Sequence, residues 1–221
     1  MGRIAGVTAE ETRERLLNAA ADVFAQRGYD GTRVADIASA AGVSNAALYA
    51  HFPSKAQLLV EALRARGPHL LGEVLRTDPD QPLTDALVAA GRRLPGRRDS
   101  RTYLVVEALV AARRHKDVAR LLRTHLGERS RWLSNLIRAS QLADDLDPSV
   151  SAEAVASFCL LLAMGSALIP TELHGVDPGE WDDLLRRVVA AVATPGFGAS
   201  ACRAPIEPSE SLPSAHIAAR K

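Results

Sequence analysis

From Thr8 to Arg66 the apolar residues recur at helical spacing, with no strand-like alternation. Leu16, Ala20, Val23 and Phe24 form one stripe, and Glu14, Asn18 and Asp22 line the opposite face. Thr8 and Glu11 stand at capping-box spacing, and Gly28 is the glycine expected at a helix end. After a turn at Asp30-Gly31, Thr32 is placed to cap a second helix carrying Val34, Ile37, Ala38 and Ala41 on a single face. Gly42 interrupts it. Ser44 opens a short third helix in which Val43, Ala47 and Leu48 face inward and Phe52 closes over the cluster. Pro53 stops that helix, and Ser54 with Gln57 marks the cap of a fourth.

Beyond residue 66, breaks at Gly67-Pro68, Asp78-Pro79 and Pro95-Gly96 separate further helical patterns, predicted near 82–94, 100–115, 117–141, 150–169 and 179–194. Asp144, Asp145 and Asp147 before Pro148 read as a connecting turn with Asp147 as cap. The expected fold is all-α with about nine helices. Residues 1–53 are read as a three-helix domain and 54–194 as a larger helical bundle. Residues 195–221, rich in Pro, Ser, Ala and Gly without periodicity, are read as a disordered tail.

Composition narrows the class. Apolar residues make up 47% of the 221 and aromatics only 4%, as suits a helical chain with a sizeable core. Two cysteines, Cys159 and Cys202, are far apart and lack metal-ligand spacing. Neither a disulfide framework nor a metal or other cofactor is expected, and a reducing cytoplasm fits. Met1-Gly2-Arg3 leads into charged residues without an apolar core region, so no signal peptide is expected. Uncharged Ala154–Thr171 approaches membrane-span length. Its Pro170, small polar residues and acidic flanks favour a buried helix over a membrane one.

The segment 32–55 carries the chemistry. Ala38 allows close helix approach, Gly42 supplies backbone freedom at a tight turn, and Val43 and Leu48 anchor a short helix to the core. That arrangement is a helix-turn-helix displaying Ser44, Asn45, Ala46, Tyr49 and His51. Asn45 has the donor–acceptor pair that reads adenine, Ala46 suits a thymine methyl, and Ser44 reaches a base or phosphate. Tyr49 and His51, with Thr32 and Arg33 at the start of the preceding helix and Lys55 at the start of the fourth, suit phosphates. Ser44 and Thr32 also read as caps alone, Arg33 and Lys55 as solvated surface, and Tyr49 and His51 as rim packing. Bulk charge lends no support: residues 1–60 hold six basic and six acidic residues, and none between Ala41 and Ser54 is Lys or Arg. Strong nonspecific DNA affinity is therefore not expected.

The run TRVADIASAAGVSNAALYAHFPSKAQLL at 32–59, preceded by AQRGYDGT, resembles the TetR family of bacterial one-component regulators. The resemblance implies a homodimer on a palindromic double-stranded operator, commonly a repressor released by a small-molecule effector. It also implies phosphate contacts from Tyr49, His51, Thr32 and Lys55, and base contacts from Ser44 to Ala46. Asn45-Ala46-Ala47 departs from the Lys, Gly or Thr frequent after the serine.

In the larger domain, the helices near 150–169 and 179–194 are the expected dimer surface, with burial within one chain alone as the alternative. The stripe Leu184, Leu185, Val188, Val189 and Val192 and the small residues Ala163, Gly165 and Ala167 support this. Residues 92–131 hold twelve Lys or Arg against four Asp or Glu, read as solvated helix faces or as attraction for an acidic effector or DNA. Tyr103, Glu107, Trp132, Phe158 and Met164 combine bulk with a few polar groups as candidate effector contacts, and equally as plain core. Two rival classes stand beside this reading. An enzyme would need a site, yet GxSxG, phosphate-loop and HExxH motifs are absent. A purely structural helical module would use the helix-turn-helix for packing only.

Overall fold

The computed structural model describes residues 8–67, 69–94, 100–169 and 175–193. The described elements are helices: α1 (Ala9–Gly31), α2 (Val34–Ala41), α3 (Asn45–His51), α4 (Lys55–Arg66), α5 (Leu70–Thr77), α6 (Leu83–Arg92), α7 (Ser100–Arg114), α8 (Lys116–Leu142), α9 (Ala152–Leu168) and α10 (Pro178–Ala193). The all-α expectation holds, and the tail read over 195–221 lies outside the described residues.

Local chemistry sets most boundaries. Glu11 N–H donates to the Thr8 hydroxyl (3.1 Å) and Thr8 N–H to the Glu11 carboxylate (2.7 Å), completing the capping box. Ser44, Ser54 and Ser151 cap α3, α4 and α9 by accepting from Ala47, Gln57 and Ala154 N–H. One helix was not anticipated: α5, whose Leu70, Leu71, Val74 and Leu75 form a stripe between two Pro-containing breaks. The acidic turn also works differently from the expectation. Asp147 closes a local turn by accepting from Ser149 N–H (2.8 Å). Asp145 reaches across to the start of α6, accepting from Leu83 N–H (2.7 Å) and the Thr84 hydroxyl (2.7 Å).

Two hydrophobic cores result. The first joins Leu16, Leu17, Phe24, Ile37, Leu48, Phe52 and Leu59 to Leu104, Ala108, Val118 and Leu122, so α1–α4 are packed continuously onto α7 and α8. The second gathers Val74, Leu83, Ala86, Leu133, Ile137, Leu146 and Ala156 from α5, α6, α8, α9 and the turn before α9. Ion pairs Arg13–Glu61 (2.9 Å) and Arg66–Glu14 tie α1 to α4 along their length.

Among the described residues no helix is long and apolar enough to cross a membrane. α9 is nevertheless not buried on every side. Ala152 and Ala156 face the second core, while Phe158, Leu161 (72% exposed) and Leu168 face outward.

Candidate nucleic-acid interface

The turn between α2 and α3 is built on Gly42. Its φ of 65° and ψ of 38° are left-handed, the region a side chain disfavours. Val43 N–H donates to Ala38 O (2.9 Å) and Gly42 N–H to Ser39 O (3.0 Å), closing α2 with a Schellman-type turn. Arg15 of α1 adds a contact that sequence reasoning missed: its Nη2 donates to Ala41 O (2.5 Å), at a carbonyl the helix end leaves open. Nothing local signals this, since the two residues are 26 apart.

This turn projects α3 from the core. Leu48 is fully buried beneath it and Phe52 closes its C-terminal end. Ser44, Asn45, Ala46 and Tyr49 (51% exposed) lie on the open face as expected, with Arg33 exposed at the start of α2. His51 is half-buried, its ring 6.3 Å from that of Phe52.

Two expected contacts have other roles. Thr32 is 2% exposed and its hydroxyl donates to Gly28 O (2.6 Å), so it presents no hydroxyl to a phosphate. Arg33, not Thr32, occupies the position before α2. The Lys55 ammonium donates to Tyr29 O (2.7 Å) and Thr32 O (3.1 Å) and sits 4.2 Å from the centre of the Tyr29 ring. Both residues hold together the joint that follows α1.

That joint also receives α7. The expected break at Gly28 is present (φ 72°, ψ 170°), after which a short helical turn continues to Gly31. Glu107 enters here: its carboxylate accepts from Tyr29 N–H at 2.6 Å. A Cβ on Gly28 would stand 3.2 Å from the same carboxylate, so glycine permits both the backbone angle and the approach. His115 and Arg114 flank it, meeting Asp30 at 2.6 and 3.3 Å. The His115 ring lies 4.9 Å from that of Tyr29. Glu107 is thus a joint residue, correcting its reading as an effector contact. Arg114 is likewise paired to Asp30.

A cavity of about 530 Å³ lies among α5, α6, α8, α9 and α10. Of the expected effector contacts, Trp132 and Phe158 line it, whereas Tyr103, Glu107 and Met164 do not. Its other walls include Leu70, Leu87 and Leu185, which sequence reasoning passed over. At its edge Arg129 Nη1 donates to His69 Nδ1 (2.5 Å), whose Nε2–H donates to Arg64 O (2.8 Å).

His125 is buried beside this chain, 4% exposed. Burial, then the charges of Arg129 and Arg64, push its pKa down to about 4, with Glu128 opposing and His69 adding slightly. The native state thus keeps the imidazole neutral, while the unfolded chain takes up a proton below about pH 6.5. Stability should be full above that pH and fall as pH drops toward 4, by ~2 kcal/mol between pH 7 and 5. Urea denaturation at both pH values measures it, and His125→Gln should flatten the difference.

An exposed short helix, carried on a glycine turn and anchored by Leu48, defines a helix-turn-helix DNA-binding protein. Residues 16–62 match the model of bacterial regulatory proteins of the tetR family. The HTH-type transcriptional regulator TtgR of Pseudomonas putida is 31% identical over 192 residues, covering 79% of this chain and 90% of TtgR. The HTH-type transcriptional repressor KstR2 of Mycolicibacterium smegmatis is 40% identical over 83 residues, only 35% of this chain and 40% of that repressor. A crystal structure of a TetR-family regulator from Rhodococcus sp. superposes with a TM-score of 0.68 at 21% identity. It covers 84% of this chain and all of that one, a likeness of fold. The chain belongs to the TetR family and is a transcriptional regulator.

Proposed function

We propose that this regulator is a homodimeric repressor that binds a palindromic operator and leaves it when a small molecule occupies the apolar cavity. Residues 8–53 act as the reading domain and 54–193 as the sensing and dimerising domain. The observation that carries DNA reading is α3 itself: Asn45, Ala46 and Tyr49 are displayed on a helix whose buried side is fixed by Leu48. Asn45 and Ala46 face bases, Ser44 caps the helix and reaches the groove, and Tyr49, His51 and Arg33 meet phosphates.

Dimerisation is supported by the apolar face left open on α9 and α10, which includes Leu161, Leu168 and Leu184 outside the cavity lining. A neutral recognition helix gains little from bulk electrostatics, and two copies on a palindrome supply the missing affinity. The cavity lies against the same helices, at a size ordinary for small ligands.

The test is selection of genomic fragments by the purified full chain, followed by titration of the enriched site. A palindrome with half-sites about one helical turn apart is expected. Asn45→Ala should weaken binding by about 1–3 kcal/mol and relax preference at one base pair. Tyr49→Ala should weaken all sites alike, with the melting temperature unchanged in both. Unselective binding, or full affinity in both variants, would refute the proposal.

A further inference from the structure

We infer that the cavity takes an anionic amphiphile, an apolar chain ending in a carboxylate, and that Arg129 is the residue that pairs with the carboxylate. The inference rests on the small-molecule reading above and specifies its chemistry.

The lining is almost wholly hydrocarbon and aromatic, with Leu70, Leu71, Leu87, Trp132, Phe158 and Leu185 on five different helices. Arg129 is the single charged residue among the described residues of that lining. Among the described residues no carboxylate lies within 4.0 Å of its guanidinium. Neighbouring Glu128 is engaged by Arg64 at 2.8 Å. The guanidinium of Arg129 donates to the His69 ring, which must be neutral at Nδ1 to accept and so balances no charge. Burial also lowers the pKa of Arg129, in keeping with a cation withdrawn from water. A partly buried guanidinium with no counter-ion among the described residues is unfavourable, and a planar carboxylate is its best-matched partner. A cationic ligand would be repelled, and a neutral chain would leave the charge unpaired.

The geometry also connects the cavity to the DNA-reading segment. A carboxylate at Arg129 competes with His69 for the guanidinium, and His69 is hydrogen-bonded to Arg64 O near the end of α4. α4 is packed along α1 in the first core. An anion at the cavity edge therefore acts on the helix that joins reader to sensor.

The experiment uses the purified full chain with dodecanoate, dodecanol and dodecyltrimethylammonium as probes, each below its micellar concentration. Binding is followed by calorimetry and by tryptophan fluorescence, since Trp132 lines the cavity. Dodecanoate should bind about tenfold or more tighter than dodecanol, with the ammonium weakest. Arg129→Met should retain dodecanol binding and lose the preference, and Arg129→Lys should keep part of it. Equal affinity for all three probes would overturn the inference, as would a preference that survives in Arg129→Met. Absence of saturable binding by the dimer would also overturn it, indicating a cavity filled by the second copy. Operator affinity is measured separately. Dodecanoate binding without operator release supports this inference and refutes effector release. Intact operator binding without any dodecanoate binding overturns this inference and leaves the DNA-reading proposal standing.

Discussion

Replacing Tyr29 by alanine will destabilise the protein by about 3–5 kcal/mol, the cost typical of deleting a buried aromatic ring. The ring stacks 6.0 Å from Phe24, lies 4.9 Å from His115 and carries the Lys55 ammonium over its face. Its backbone is held as well, with N–H bonded to Glu107 and the carbonyl to Lys55. Those partners come from α1, α4, α7 and the turn before α8, so the ring joins the reading helices to the rest. Denaturation followed by urea should show the loss as one transition displaced to lower denaturant. Tyr29→Phe keeps the ring and should remain within about 1 kcal/mol of the parent, as a volume-conserving change. A cost below about 1 kcal/mol for Tyr29→Ala would show that this joint does not hold the first core together.

Gly42→Val is expected to cost about 1–3 kcal/mol and to weaken operator binding roughly tenfold or more. A β-branched side chain is strongly disfavoured at a φ of 65°. The new Cβ would also stand 2.7 Å from Arg15 Nη2, pushing the guanidinium off Ala41 O. α3 is only seven residues long, and its direction depends on this turn. Gly42→Asn should cost less, because asparagine tolerates the left-handed region. Chemical denaturation and operator titration of the two variants measure both effects. Equal stability of Gly42→Val and the parent would show that the turn can relax without strain.

The elements of the reading domain were legible because their signals are local. Thr8 with Glu11, Ser44 with Ala47 and Ser54 with Gln57 act across three residues, and Gly42 acts on its own backbone. The all-α class, the helix-turn-helix and the exposure of Asn45, Ala46 and Tyr49 all follow from such short-range patterns together with helical periodicity. α5 was missed although its stripe is equally local, because proline-containing breaks on both sides mask so short a helix.

The roles of individual polar side chains were a different matter. Thr32 and Lys55 have the composition of phosphate contacts, yet the fold directs both inward to the backbone around Tyr29. Glu107 has the chemistry of a ligand partner and instead meets a backbone N–H 78 residues away. The cavity draws on five helices, and the one charge among its described lining residues, Arg129, lies within a basic stretch whose sequence does not single it out. Which segments are helical, and which short helix faces outward, can be read from the residues alone, since capping and periodicity act within a few residues. Which side chains remain free to meet DNA or a ligand emerges when the helices pack. That depends on partners brought together from distant parts of the chain, and burial rather than residue type settles whether a polar group binds outward or holds the fold.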